Sequence, residues 1–312
     1  MDSLRASVAP IGQHAAVGSL AAVARPISSA VVPLLITLDL EIAQDHDLGE
    51  QQSVLSTLGA DLATTPITVF VTGDAVERFA EPVRELAADG HEFGCHGLTH
   101  FPDEDFCRMP PTRVRSVLEE STARIVRTTG QRVRVFRGPR MATSADTQRA
   151  LVDLGYAADF SVCPQRLDLL NCRGAHPGWL TAPRVAYRAS ANSPYRRGSL
   201  PLTVVPLNAI GIPLISGSLF LFGLAAMKFL FRCLLAEARL TGAPLVYLFH
   251  SYEFTRYLGG GKRPAHHRLY VRDPAHRLAL HRQFLHFMLA QPGVVPVTAS
   301  TFLDRCHAVA AP

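Results

Sequence analysis

A chain of 312 residues, 48% hydrophobic and 18% charged, carries enough apolar side chains for a sizeable core, which excludes a disordered chain. Its net charge is +5 with thirteen histidines, but no dense Lys/Arg tract appears, which argues against a nucleic-acid-binding role. The six cysteines include no zinc-ribbon or Cys-x-x-Cys spacing, so they read as reduced, buried thiols of a cytoplasmic protein.

Residues 1–30, rich in Ala, Ser, Val and Gly, read as a poorly ordered lead-in, with only a weak case for a secretory signal. Residues 31–312 read as one domain. Val31–Leu38 is a nearly continuous apolar, β-branched run, the pattern of a strand buried on both faces in a parallel sheet. It ends in Asp39-Leu40-Glu41, where a period of two sends both acids to one side. A helix follows on Val54, Leu55, Leu58 and Leu62, then a strand at Ile67–Thr72. Asp74 and Glu77 suggest a capping box, and Pro82 opens a helix that stops at Gly90.

His91–Cys95 is the third strand, and it feeds His96-Gly97-Leu98-Thr99-His100. Imidazoles four residues apart can reach one point, and with a carboxylate they suit a borderline divalent metal. Cys95 should point away by strand alternation. A helix over Val114–Ile125 leads to a strand at Val133–Phe136 and then Arg137-Gly138-Pro139-Arg140. Ser144 caps the next helix, Ala157-Ala158-Asp159 follows, and 164–197 reads as irregular.

Gly198–Met227 carries no charge, yet Pro201, Pro206 and Pro213 break it. It reads as a core strand (Leu202–Leu207), a turn and an apolar helix from about Leu219 to Leu240, with contact to a lipid surface favoured over a span. Leu245–Phe249 is a strand ending in His250. Helices at 274–291 and 299–309 bracket a short strand at Val294–Val297. Gly259–Gly261 reads as a loop over or beside the site, and the tail histidines His266, His267, His276, His281, His286 and His307 as solvated. Strand and helix alternate about seven times, so Asp39, Glu41, His96, His100, Arg137, Pro139, Asp159 and His250 all lie at carboxyl ends of strands, which share one face in a parallel barrel. Asp45 and Asp47 are rival carboxylates to Glu41.

This ordered set resembles the polysaccharide deacetylases of carbohydrate esterase family 4. The matching text is Asp39-Leu40-Glu41, the His96–His100 pair, Arg137 with Pro139, Gly155–Pro164 around Asp159, and Leu248–Phe254 around His250. The resemblance implies a distorted (β/α) barrel of about seven parallel strands. It departs from the common pattern at Glu41, where a second Asp adjacent to the first is usual, and at Gly97, where Ser or Thr is usual.

The resemblance and the chemistry together imply an amidohydrolase. Glu41, His96 and His100 would hold a divalent metal, with zinc favoured, that polarises the carbonyl and acidifies water. Asp39 would be the base, Arg137 its positioning partner, and His250 the acid, oriented by Asp159. Arg140 and Tyr252, with Pro139, would line the substrate. The implied substrate is an N-acetyl amino sugar of a bacterial envelope glycan or a lipid-linked sugar, which would place the protein in the cytoplasm, at the inner membrane face. Two alternatives stand beside it: a metal-independent cyclic-amide hydrolase akin to the allantoinase-like relatives, and a non-catalytic carbohydrate-binding barrel.

Overall fold

The computed structural model describes residues 31–166, 177–259 and 273–310. The lead-in at 1–30, Cys172, Gly260, Gly261, His266 and His267 lie outside the described residues, whereas His281, expected to be solvated, is buried with its Nδ1 3.0 Å from the Tyr247 hydroxyl, which corrects that expectation.

The sheet is built on β1 (Val32–Leu40), every residue of which is buried, as its two-faced apolar run demands. Parallel pairing joins β1 to β2 (Thr68–Val71), β2 to β3 (Glu92–Cys95), β3 to β4 (Val135–Phe136), and β4 to β5 (Ala158–Asp159). Helices α1 (Leu48–Leu62), α2 (Gly73–Arg78), α3 (Ala80–Ala88), α4 (Pro111–Thr129) and α5 (Ala145–Asp153) connect them. Asp47 caps α1 by accepting from the Gly49 and Glu50 amides, which removes it as a rival metal ligand. Thr72 caps α2, while Glu77 pairs with Arg124 and Arg127 instead of closing a capping box.

Past α5 the chain departs from strict alternation. An antiparallel hairpin, β6 (Tyr187–Ser190) and β7 (Ser193–Arg197), sits in the stretch that sequence pattern leaves irregular. Strand β8 (Thr203–Val204) pairs parallel with β5 and antiparallel with β6. A short ribbon, β9 (Ala209–Ile210) and β10 (Ile212–Pro213), leads into α6 (Ser216–Thr241). Then β11 (Leu245–His250) returns to the other side of the sheet and pairs with β1 over Leu34–Asp39. Helix α7 (Pro274–Leu289), β12 (Val294–Pro296), which pairs with the start of β1, and α8 (Ala299–Ala310) finish the chain.

The result is a distorted (β/α) barrel, left open. The order β11-β1-β2-β3-β4-β5-β8-β6-β7 holds nine strands, and β12 makes a tenth, where pattern alone predicts about seven. The parallel run from β11 to β8 is itself seven strands long, so the excess is the β6–β7 hairpin and β12. The hairpin escapes notice because its strands are short and one is half exposed. All parallel strands deliver their carboxyl ends to one face, and the polar residues gather there.

Candidate active site

Asp39 and His250 are direct neighbours. They pair in register at the ends of β1 and β11, so both side chains leave the sheet on the same face. Asp39 is buried and gripped by Arg137, whose Nη1 donates to Asp39 Oδ1 at 2.6 Å and to Thr37 Oγ1 at 2.9 Å. The Arg137 guanidinium is wholly buried, lying 4.3 Å over the Phe70 ring. One carboxylate oxygen of Asp39 is therefore fixed by a cation. The other, Oδ2, is 3.8 Å from His96 Nε2, too long for a hydrogen bond.

His96 is oriented from behind. Its Nδ1 is 2.7 Å from the Arg137 carbonyl, which can only accept, so Nδ1 carries the proton and Nε2 turns a lone pair toward the Asp39 side. His100 stands beside it with ring centroids 5.3 Å apart. Burial holds both imidazoles below their ordinary pKa, and for His100 the neighbouring His96 and Arg140 press further in the same direction. Both rings are thus neutral near pH 7, the form a metal requires.

Glu41 is buried, and its Oε2 has no hydrogen-bond partner. Desolvation pushes its pKa to about 8, against the attraction of His250, while Asp39 and Glu253 add repulsion. A buried carboxyl with an unsatisfied oxygen and two neutral imidazoles, all carried past the carboxyl ends of parallel strands, fit a divalent ion in donor chemistry. Their positions do not yet converge, since among the described residues no group of three His, Cys, Asp or Glu has the geometry to hold a metal.

His250 has an acid partner that sequence reasoning missed. Glu253 lies three residues on, in the 3₁₀ turn Ser251–Phe254. Its Oε1 is 3.3 Å from His250 Nδ1, and its Oε2 accepts from the His250 amide at 3.1 Å and from the Ser216 hydroxyl. Burial disfavours a charged His250, but the carboxylates of Glu253, Glu41 and Asp39 outweigh it and raise its pKa to about 9. Burial likewise works against Glu253 ionising, and the His250 charge with those hydrogen bonds holds it below the ordinary value.

Asp159 is the acid that the sequence places behind His250. In the structure its carboxylate accepts from Thr143, Gln148, the Ser161 amide and the Ser161 hydroxyl, and that hydroxyl in turn accepts from the Gly138 amide at 2.8 Å. Asp159 therefore braces the loop carrying Arg137 and Pro139, and the expectation that it orients His250 is corrected. Arg140 points its guanidinium at the carbonyls of His100, Phe101 and Glu104, clamping the loop that presents His100. Pro139 is buried against Gly97. Tyr252 lies with its ring 5.1 Å from His250 and 5.2 Å from His46, flanking the acid. Cys95 turns away to Ser121, as alternation requires.

Gly97 has a structural reason. Its φ is +80°, and an added Cβ would fall 2.1 Å from Glu104 Oε1. That carboxylate accepts from the amides of Leu98 and Thr99 and from the Thr99 hydroxyl, so Glu104 fills the space a side chain at 97 would take. Gly97→Ser is expected to cost about 1–3 kcal/mol in urea denaturation, from backbone strain and the displaced carboxylate. Unchanged stability would contradict this account.

The polysaccharide deacetylase family profile matches residues 52–158, a span that holds His96, His100, Arg137 and Pro139 but not Asp39, Glu41 or His250. No curated protein matches the chain in sequence. Among solved structures, the fold is similar to that of a protein from Mycobacterium smegmatis assigned as a polysaccharide deacetylase, at TM-score 0.62 and 17% identity over 93% of this chain and 96% of that one. A second assigned deacetylase, from Pseudomonas aeruginosa PAO1, gives TM-score 0.56 and 17% identity over 90% and 92% of the two chains. The Puue allantoinase gives 0.55 and 18% over the same shares, so the barrel alone does not separate these chemistries. Over residues 52–158, about a third of its length, the chain is similar in sequence to the polysaccharide deacetylase family.

Proposed function

We propose that this protein hydrolyses the N-acyl group, acetyl in the favoured reading, of an amino sugar in an envelope glycan or lipid-linked sugar. The observation that carries the reading is the register pairing of Asp39 with His250, which sets a base and a separate acid side by side. A binding-only barrel has no need of that pair.

The reaction adds water across the amide and releases carboxylate and amine. A divalent metal held by Glu41, His96 and His100, zinc in the favoured reading, would supply Lewis-acid polarisation of the carbonyl and a lowered water pKa. Asp39 Oδ2 takes a proton from the attacking water, while Arg137 keeps Oδ1 fixed so the second oxygen faces the reacting centre. His250, charged near pH 7 and held at Nδ1 by Glu253, gives its other ring proton to the departing nitrogen. Tyr252 forms part of the wall beside that nitrogen. Acetate release from N-acetyl amino sugars tests the reading, and an intact fold with no release from any of them would sink it.

A second reading, a metal-independent cyclic-amide hydrolase, draws on the unconverged positions of Glu41, His96 and His100. Metal titration separates the two. Glu41 at about 8 holds a proton at pH 7, and a metal must displace it. Zinc affinity should therefore rise about tenfold per pH unit between pH 6 and 8 and then flatten. Calorimetry in buffers of different ionisation enthalpy should show about one proton released at pH 7, and Glu41→Gln should abolish that release. Zinc affinity that stays flat with pH would remove Glu41 from the ligand set.

A further inference from the structure

Helix α6 begins at the active site and runs out from it over the surface. Ser216, its first residue, donates to Glu253, the acid behind His250. Its Ser216–Thr241 length and apolar composition would suffice to cross a bilayer, but Gly223 (φ 78°, ψ 171°) breaks it into two pieces. Leu219, Phe220, Met227, Phe231, Leu234 and Leu235 are buried in the protein, so the helix is anchored along one side rather than free to span.

The other side is an unpartnered apolar stripe among the described residues. Ala225, Phe229, Ala236 and Leu240 recur at i, i+4, i+11 and i+15, one row of a helix, and all four are exposed. Phe229 is 69% and Leu240 87% exposed. Leu221 and Phe222, also exposed, lie on the first piece before the Gly223 break and follow Ser216 by about 8–9 Å of helix rise.

The charge beside the stripe identifies the occupant. Lys228, Arg232 and Arg239 recur at i, i+4 and i+11 and form the adjoining row; Lys228 and Arg232 each lie 5.1 Å over the Phe287 ring of α7 and Arg239 donates to the Pro292 carbonyl, contacts that hold the three charges at the edge of the stripe without neutralising them. Glu237, the acid of this segment, is already paired with Arg184. A second copy of a chain of net charge +5 would meet this row with like charge. The chain's own first 30 residues hold Asp2 against Arg5 and Arg25, which is no better complement. An anionic lipid surface complements both rows at once: phenyl and leucyl groups enter the acyl boundary, and the cations face headgroup phosphates.

We propose that the exposed face of α6 docks this protein in the plane of an anionic membrane, with the active-site mouth one to two helical turns from the lipid. A lipid-linked sugar is then the substrate class best presented to it, a step that rests on the deacetylase reading, whereas the docking does not.

The test is co-sedimentation of the full-length protein with vesicles of phosphatidylcholine alone or mixed with phosphatidylglycerol. Binding is expected only to the mixed vesicles, falling with added salt. Phe229→Glu and, separately, Leu240→Glu should each reduce the bound fraction at least tenfold with unchanged circular dichroism, both sites being exposed. Lys228→Gln and Arg232→Gln should each lower partitioning by about fivefold. Equal binding to neutral vesicles, binding untouched by both glutamate variants, or no binding at all would overturn the proposal. So would a dimer in solution that Phe229→Glu converts to monomer. Acetate release from water-soluble N-acetyl sugars, measured in parallel, reports on the deacetylase reading independently of any lipid.

Discussion

Replacing His250 with asparagine is expected to lower kcat by about 10²- to 10⁴-fold, the usual contribution of a positioned general acid. The side chain is 20% exposed, so the fold should survive the change. The stronger test is the pH profile. The folded-state pKa of about 9 lies above the ordinary 6.5, so His250 stays protonated through neutrality and activity should fall as pH rises through about 9. The same sign holds for stability: the contribution of this ring is fully present below 6.5 and is lost as pH climbs through 9. Glu253→Gln removes the foremost carboxylate holding that proton while keeping the shape of the turn. The alkaline limb should then move to lower pH with KM little changed. A purely structural Glu253 would instead lower activity equally at every pH, and an unmoved limb would remove Glu253 as the partner of His250.

Much of this site is legible from sequence because parallel strands impose a simple rule. A buried apolar run such as Val32–Leu38 must end somewhere, and polar residues at its carboxyl end cannot return to the core without a partner. Asp39, His96, Arg137 and His250 follow that rule, and the structure gathers them on one face. What pattern does not give is which acid serves which base. Asp159 and Glu253 are both buried carboxylates beside strand ends, and only the fold shows that Asp159 is already saturated by Thr143, Gln148 and Ser161. The local signal for Glu253 exists: an acid three residues after a strand-terminal histidine can close a single turn back onto it. Arg140 has a structural role that pattern does not show. A long cation next to a motif looks like a substrate clamp, and the fold adds that it donates to backbone carbonyls of the neighbouring loop.

The β6–β7 hairpin illustrates a different limit. Its strands are four and five residues long and β7 is half exposed, too little for a periodic pattern to mark. The antiparallel pairing of β6 with β7 and β8 is a tertiary outcome, and with β12 it carries the sheet beyond its seven parallel strands.

Asp39→Asn is expected to fail twice, in chemistry and in stability. The amide cannot take the proton of the attacking water, so kcat/KM should fall by about 10²-fold or more. The change also strands Arg137, a guanidinium with no exposed surface whose ion pair with Asp39 is its one charge partner among the described residues. Removing one member of a buried pair leaves an uncompensated charge and typically costs about 3–5 kcal/mol, more than the pair itself contributes against an apolar replacement. The Phe70 ring beneath the guanidinium is present in both proteins and so offsets none of that loss. The double variant Asp39→Asn with Arg137→Met removes both charges and should regain much of the lost stability in chemical denaturation while staying inactive. That separation of stability from activity is the outcome that assigns Asp39 to the chemistry. If the double variant regained stability and activity together, Asp39 would be a structural counter-ion and the base would have to be sought elsewhere on the same face. If the single variant lost neither, the Asp39–Arg137 contact would not be holding this site at all.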